Sequence, residues 1–140
     1  MKSRVSISLA LVTIAIFFSV LRAHGLREGK AERTRQLEYQ AQVKKYSDAL
    51  KPGTTRRMVE GYLRAQNVTY SSMCCVSTAH KGFSELVLIG HERPPWYCSA
   101  KNIYVAFEFD AADPSDYSTR QNAADPLSDV TLFPWLEGCL

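Results

Sequence analysis

Residues 50–63 read L-K-P-G-T-T-R-R-M-V-E-G-Y-L, and this stretch joins two helices. Upstream of it Tyr39, Val43, Tyr46 and Leu50 recur at helical spacing, so they share one apolar face, with Lys44, Lys45 and Asp48 off that face. Pro52-Gly53 stops this helix, because glycine supplies a left-handed C-terminal conformation and proline cannot continue the ladder. Thr54 or Thr55 is expected to cap the next helix with its hydroxyl, and Arg56–Gln66 follows with Val59, Tyr62 and Leu63 on one side. A corner this tight makes the two apolar faces converge on a common layer.

Beyond Asn67 the period changes from helical to two. Val68–Val76 alternates, placing Val68, Tyr70, Ser72, Cys74 and Val76 on one face. Ser84–Glu92 contains Leu86-Val87-Leu88-Ile89, a continuous apolar run expected of a central strand covered on both faces. Asn102–Asp110 sets Ile103, Val105, Phe107 and Phe109 against Tyr104, Ala106, Glu108 and Asp110, and Asp129–Trp135 supplies a last strand. Successive strands with short links favour an antiparallel meander whose apolar face the two helices cover. The connector Ala111–Ser128 is long, polar and acidic, and repeats A-A-D-P at Ala111 and Ala123; a loop of this length is flexible or used for binding.

The charge is asymmetric. Residues 1–66 hold thirteen Lys and Arg against five Asp and Glu, whereas residues 67–140 hold four against nine. Two solvated faces of opposite sign account for this; a basic half lying near anionic phospholipid headgroups is the sharper reading. The basic residues do not interleave with aromatics in a nucleic-acid motif, so no nucleic-acid partner is assigned. Met1-Lys2-Ser3-Arg4 is a positive start and Val5–Leu21 runs without a charge. As a helix that run is about 26 Å long, close to the roughly 30 Å hydrocarbon core of a bilayer. Residues 1–25 are therefore read as a signal-anchor helix that stays in the membrane, or as a signal peptide cut after Gly25, where Ala23 and Gly25 are the small residues a signal peptidase reads. Residues 26–36 form a charged tether and residues 37–140 the domain. The expected fold class is α+β: an apolar N-terminal export or anchor helix, then two helices packed on one face of a three- to four-stranded antiparallel meander sheet.

An exported chain is expected to pair its cysteines, Cys74, Cys75, Cys98 and Cys139. If Phe107 lies opposite Val130 and Val105 opposite Leu132, extending that ladder brings Cys98 opposite Cys139, and a bridge there is worth roughly 2–4 kcal/mol. Cys75 with Cys98 is the rival connectivity. Neighbouring Cys74 and Cys75 point to opposite faces of a strand, and no C-x-x-C motif is present.

The pattern L-x-P-G-T-T-x-x-x-V-x-x-Y-L at Leu50–Leu63 resembles the helix corner of the SmpA/OmlA (BamE-like) family, with Gly53, Thr55, Val59 and Leu63 matching the motif. The resemblance implies two helices packed on an antiparallel sheet, akin to the repeats of β-lactamase inhibitory protein, and a role as an envelope-assembly subunit or inhibitor. This chain departs from the family in having no cysteine directly after its apolar run.

No Ser-His-Asp or Cys-His arrangement is legible, and no Gly-rich phosphate loop exists, so no catalytic residue, cofactor or small-molecule substrate is assigned. Cys74, Cys75, His80, His91 and Cys98 match no zinc spacing, and Asp110, Asp113 and Asp116 lack the EF-hand pattern; no metal site is assigned. Pro94-Pro95-Trp96-Tyr97 and Phe133-Pro134-Trp135-Leu136 fall at the same end of the sheet by the expected register. They either plug the open end of the core or form a partner-binding patch of Trp96, Tyr97, Phe133 and Trp135. The function expected is a non-catalytic, membrane-associated envelope module that binds another protein. The alternatives are a thiol-redox or metal-binding envelope protein using Cys74 and Cys75, and an inhibitor- or immunity-type protein.

Overall fold

The computed structural model describes the backbone of residues 2–74, 76, 82–111 and 121–140, and the side chains of Arg22 and of those residues from 27 onward. Helix α1 covers Lys2–Ala49 and helix α2 covers Arg56–Ala65. Strands β1 (Ser71–Cys74), β2 (Phe83–Glu92), β3 (Ala100–Phe109) and β4 (Leu127–Glu137) follow. The chain divides into two compact units, Met1–Glu38 and Tyr39–Leu140; the first is helical, and the second holds the end of α1 with everything after it. Among the described residues no helix is long and apolar enough to cross a membrane; the side chains of residues 5–21, on which the anchor expectation falls, lie outside the described residues.

In the second unit the strands pair in the order β1-β2-β3-β4, all antiparallel. The β3–β4 register sets Phe107 opposite Val130 and Val105 opposite Leu132, the pairing supposed from the sequence. Tyr46 and Leu50 of α1 and Val59 and Leu63 of α2 bury against Val87, Val105, Phe107, Phe109, Leu127 and Val130. Both helices thus cover one face of the sheet. Tyr39 is buried too, and its ring lies over Gly90, where an added Cβ would meet the phenol oxygen at 2.6 Å. A side chain at position 90 would displace the Tyr39 ring from this seat. Gly90 follows a bulge in β2 that shifts the register between Leu88 and Gly90.

Three expectations need correction. First, α2 begins after Thr55 as the sequence predicts, but among the described residues the Thr55 side chain makes no capping bond. The first amides of the helix are taken instead by main-chain carbonyls of the returning connector: Arg56 N–H donates to Asp125 O at 2.8 Å and Arg57 N–H to Ala123 O at 3.0 Å. Leu127 N–H donates to Thr54 O and Gly53 N–H to Leu127 O, both at 2.8 Å, so residues 53–57 are bound along the connector's end. Gly53 reaches this path with φ +88°, a conformation that favours glycine. Second, β1 is shorter than Val68–Val76. Asn67 adopts φ 54° and Val68 N–H closes the end of α2 on Leu63 O, so this amide is spent before the strand begins. Third, Leu88 is exposed, so β2 is covered on both faces only as far as Val87.

Arg56 is the residue that the helical pattern does not foresee. It is 2% exposed, as Glu85 is 1% and Asp125 3%. Its Nη1 donates to Glu85 Oε1 at 2.6 Å, and its Nη2 to Phe83 O at 2.7 Å and to Asp125 Oδ2 at 3.4 Å. The guanidinium carbon stands 4.0 Å from the Phe109 ring centroid. Glu85 also accepts from Ser72 Oγ at 2.6 Å, and Asp125 Oδ2 accepts from Asn122 N–H at 2.9 Å. Arg56 Nε has no hydrogen-bond partner among the described residues. One side chain therefore joins α2, β2 and the connector.

Removing one member of a buried ion pair strands the other, at a cost of about 3–5 kcal/mol. Arg56→Ala is expected to destabilise the protein by that amount in urea titration, and Arg56→Met combined with Glu85→Leu and Asp125→Asn, which leaves neither carboxylate stranded, to recover part of it; a loss below about 1 kcal/mol for the single change would show the pair to be solvated. A second expectation concerns Tyr46, whose ring meets Phe107 edge-on at 5.3 Å. Burial pushes its phenol above the ordinary 10.0, and Tyr62 adds to the rise. The folded state thus favours the neutral phenol, a contribution that is complete below pH 10.0 and lost as pH climbs through the raised value. Urea titrations at about pH 9 and about pH 11 should show an alkaline loss of stability that is smaller in Tyr46→Phe.

Candidate functional site

The face of the sheet turned away from the helices is not uniform. Toward the corner, Ser84, Leu86, Ala106 and Glu108 are buried on it. Toward the other end, Leu88, Tyr104 and Phe133 stand in one row across β2, β3 and β4, and Trp135 sits in the next row opposite Asn102. Leu88 is 46% exposed and Trp135 39%, with Tyr104 and Phe133 partly exposed. The Phe133 and Trp135 rings lie 5.7 Å apart and tilted by 32°. The patch is bordered by a polar chain in which Asn102 Nδ2 donates to Glu137 Oε1 at 2.7 Å. With its amide nitrogen so used, Asn102 presents Oδ1 to His91 Nδ1 at 2.7 Å, which makes that ring nitrogen the donor.

Trp96 and Tyr97 belong to a separate projection, residues 93–99, at the same end. Cys98 N–H donates to Pro95 O at 3.0 Å and closes a turn that Pro94 and Pro95 stiffen. Cys98 bonds to Cys139, with Cα atoms 4.0 Å apart, and Leu140 N–H donates to Tyr97 O at 2.9 Å. The projection is thereby tied to the end of β4. Trp96 is 91% exposed and Tyr97 41%, with rings 5.7 Å apart and edge-on. At this exposure the Trp96 indole does not plug the core. Arg93, Pro94 and Pro95 of the projection, with Lys101, Pro134 and Leu136, line a shallow groove of about 420 Å³.

The free edge of β4 is chemically blunted. Ser99 N–H donates to Glu137 O, so Glu137 and alternate residues before it direct their amides to β3, and the residues between direct theirs outward. Among the outward set, Val130 N–H is taken by Asp129 Oδ1 at 2.8 Å, and Pro134 has no N–H to offer. The other edge, β1, is four residues long. Contact through side chains on the face is therefore better provided for than addition of a strand.

The structure thus gathers Phe133 and Trp135 into one patch and sets Trp96 and Tyr97 apart. Leu88 and Tyr104, which the sequence reading did not select, complete the patch; the signal was their place in the same register row as Phe133. Gly53, Thr55, Val59 and Leu63 are corner and core positions, Val59 and Leu63 being wholly buried. Cys74 is disulfide-bonded, while Cys75, His80, Asp113 and Asp116 lie outside the described residues. Among the described residues no three or more His, Cys, Asp or Glu side chains gather where a metal ion could be held. Cys98 is committed to its bridge and His91 to Asn102.

The Cys98–Cys139 bond closes a loop with a sequence separation of 41. Its loss, in Cys98→Ser with Cys139→Ser, is expected to cost about 3–4 kcal/mol in urea titration and to free the projection for faster amide exchange at Tyr97 and Ser99; unchanged exchange would show that main-chain bonds alone hold it. Among known proteins no family model matches the chain, and no curated protein and no solved structure matches it.

Proposed function

We propose that this chain is a non-catalytic envelope module that binds another protein through Leu88, Tyr104, Phe133 and Trp135. The observation that carries the reading is an aromatic and aliphatic cluster held partly in water on a rigid strand surface, with the nearby edge blunted. Tyr and Trp concentrate binding energy because they bring large area at little cost in side-chain freedom. The surrounding polar chain of His91, Asn102 and Glu137 supplies a rim that keeps water off such a cluster once it is covered. The positive start and the apolar run of residues 5–21 support delivery to a membrane and retention there, with the domain outside the cytoplasm; the bonded state of Cys74, Cys98 and Cys139 agrees with an oxidising compartment. The likeness of the Gly53–Leu63 corner to BamE-like domains supports the same class of role.

The test is site-specific photo-crosslinking of the full chain in its native membranes. A photoreactive residue at Phe133 or at Trp135 should capture one protein, and the same residue at exposed Asn122, near the opposite end of the sheet, should not. Trp135→Ala should weaken that capture by about thirty-fold, the equivalent of a 2 kcal/mol hot spot, without changing the melting temperature. If Trp135→Ala unfolds the domain, or if positions 122 and 135 capture the same proteins, the patch is not a specific site.

A further inference from the structure

We infer that the projection carrying Trp96 and Tyr97 is a second, separate contact surface, and that its partner is the anionic headgroup layer of a lipid bilayer. The inference rests on the membrane association proposed above and adds to it a surface that the protein-binding patch does not use.

Four observations lead to it. Trp96 is 91% exposed on a loop with no room to withdraw: the Cys98–Cys139 bond, the Cys98 N–H to Pro95 O turn and the Leu140 N–H to Tyr97 O bond hold it out. A bulky indole fixed in water is a standing cost unless something covers it. Second, the residues around it are those that settle between water and hydrocarbon: Trp and Tyr with polar tips, Pro94 and Pro95, and Leu136 at 39% exposure. Third, Arg93 is exposed on the rim of the adjoining groove and Lys101 is beside it, with Lys101 Nζ 2.7 Å from Glu92 Oε2. Among the described residues lining the groove, Arg93 is thus the exposed cation that can attract phosphate, and nearby Glu92 and Glu137 limit the attraction.

The fourth observation is where the chain enters this unit. Tyr39, its first residue, lies over Gly90, two residues before Glu92 on the strand that leads into the projection. The sequence before Tyr39 carries Arg22, Arg27, Lys30, Arg33 and Arg35 against Glu28, Glu32 and Glu38, and before that the apolar run of residues 5–21. The chain that leads into this domain is therefore itself suited to an anionic membrane. An apolar protein surface would satisfy Trp96 equally, but a bilayer is the surface that the apolar run and the excess of cations before Tyr39 suit, and Arg93 on the groove's rim suits its anionic headgroups.

The chain has two tryptophans, so two variants separate them: Trp135→Phe leaves Trp96 and Trp96→Phe leaves Trp135. Each full-length variant is reconstituted into vesicles of phosphatidylcholine with or without phosphatidylglycerol, with brominated acyl chains as quencher. Flotation reports whether the chain is in the membrane, and quenching reports which indole touches lipid. The expected result is Trp96 emission that is blue-shifted and quenched in the phosphatidylglycerol vesicles, with Trp135 unquenched. Molar salt should relieve the quenching, and Arg93→Gln should lower the ratio of docked to free projection roughly five-fold. Flotation with Trp96 unquenched overturns this inference and leaves membrane association standing; failure to float overturns both. Quenching that ignores lipid charge, or that is as strong for Trp135, also overturns it. So does shielding of Trp96 from acrylamide in native membranes but not in pure lipid, which assigns the projection to a protein.

Discussion

A guanidinium removed from water must find its partners inside the protein, and Arg56 finds them on three separate stretches of chain. Glu85 and the Phe83 carbonyl come from β2, Asp125 from the connector, and the Phe109 ring from β3. Such a cluster adds little net stability over an apolar one of the same shape, but its geometry is demanding, and a mispaired alternative leaves a charge stranded. The corner between the helices is held by the same residues from the other side, since the amides of Arg56 and Arg57 are satisfied only when residues 123–125 lie against them. A helix start, a strand start and a connector end thus form one polar knot, and the apolar faces of α1 and α2 close over the sheet beside it.

The sheet is consequently different at its two ends. At the corner end both faces are buried, Phe107 and Phe109 on one and Ser84, Leu86 and Ala106 on the other. At the far end the helix-covered face remains closed by Tyr39 while the opposite face lies open at Leu88 and Trp135. The exposed residues are carried by strands whose inner neighbours Val105 and Ile103 are wholly or almost wholly buried, so their backbone is anchored even where their side chains meet water. That combination, firm support beneath wetted aromatics, is what separates a contact surface from a loosely packed core.

What was legible in the sequence was what periodicity carries. Tyr39, Tyr46 and Leu50 declared one helix face, and Ile103 through Phe109 one strand face, because side-chain direction follows directly from spacing. Alternation on two neighbouring strands fixed their faces but not their register; the register supposed from the sequence, and with it the approach of Cys98 to Cys139, is the one the structure has. What was not legible depends on segments far apart in the chain. Arg56 and Arg57 are adjacent and alike in type, yet one is buried and the other solvated, because one helical step turns a side chain by about 100° and only the first meets Glu85. Asp125 lay in a connector that reads as polar loop, and the expected threonine cap was displaced by carbonyls nearly seventy residues away in sequence. Trp96 and Trp135 were legible as a pair of aromatic clusters, but spacing alone does not say whether an aromatic at a strand end turns inward, and both stand in water.

The treatment of the β4 margin has a consequence for how the molecule behaves in company. A sheet that shows apolar side chains on its surface and free amides along its side would stack and zip with its own copies, and the result would be ribbons that lengthen without limit. By spending an aspartate on one amide and placing a proline where another would be, the chain separates adhesion from polymerisation. Copies crowded together can meet through their greasy surface and part again, because along β4 the row of outward amides is interrupted at Val130 and at Pro134.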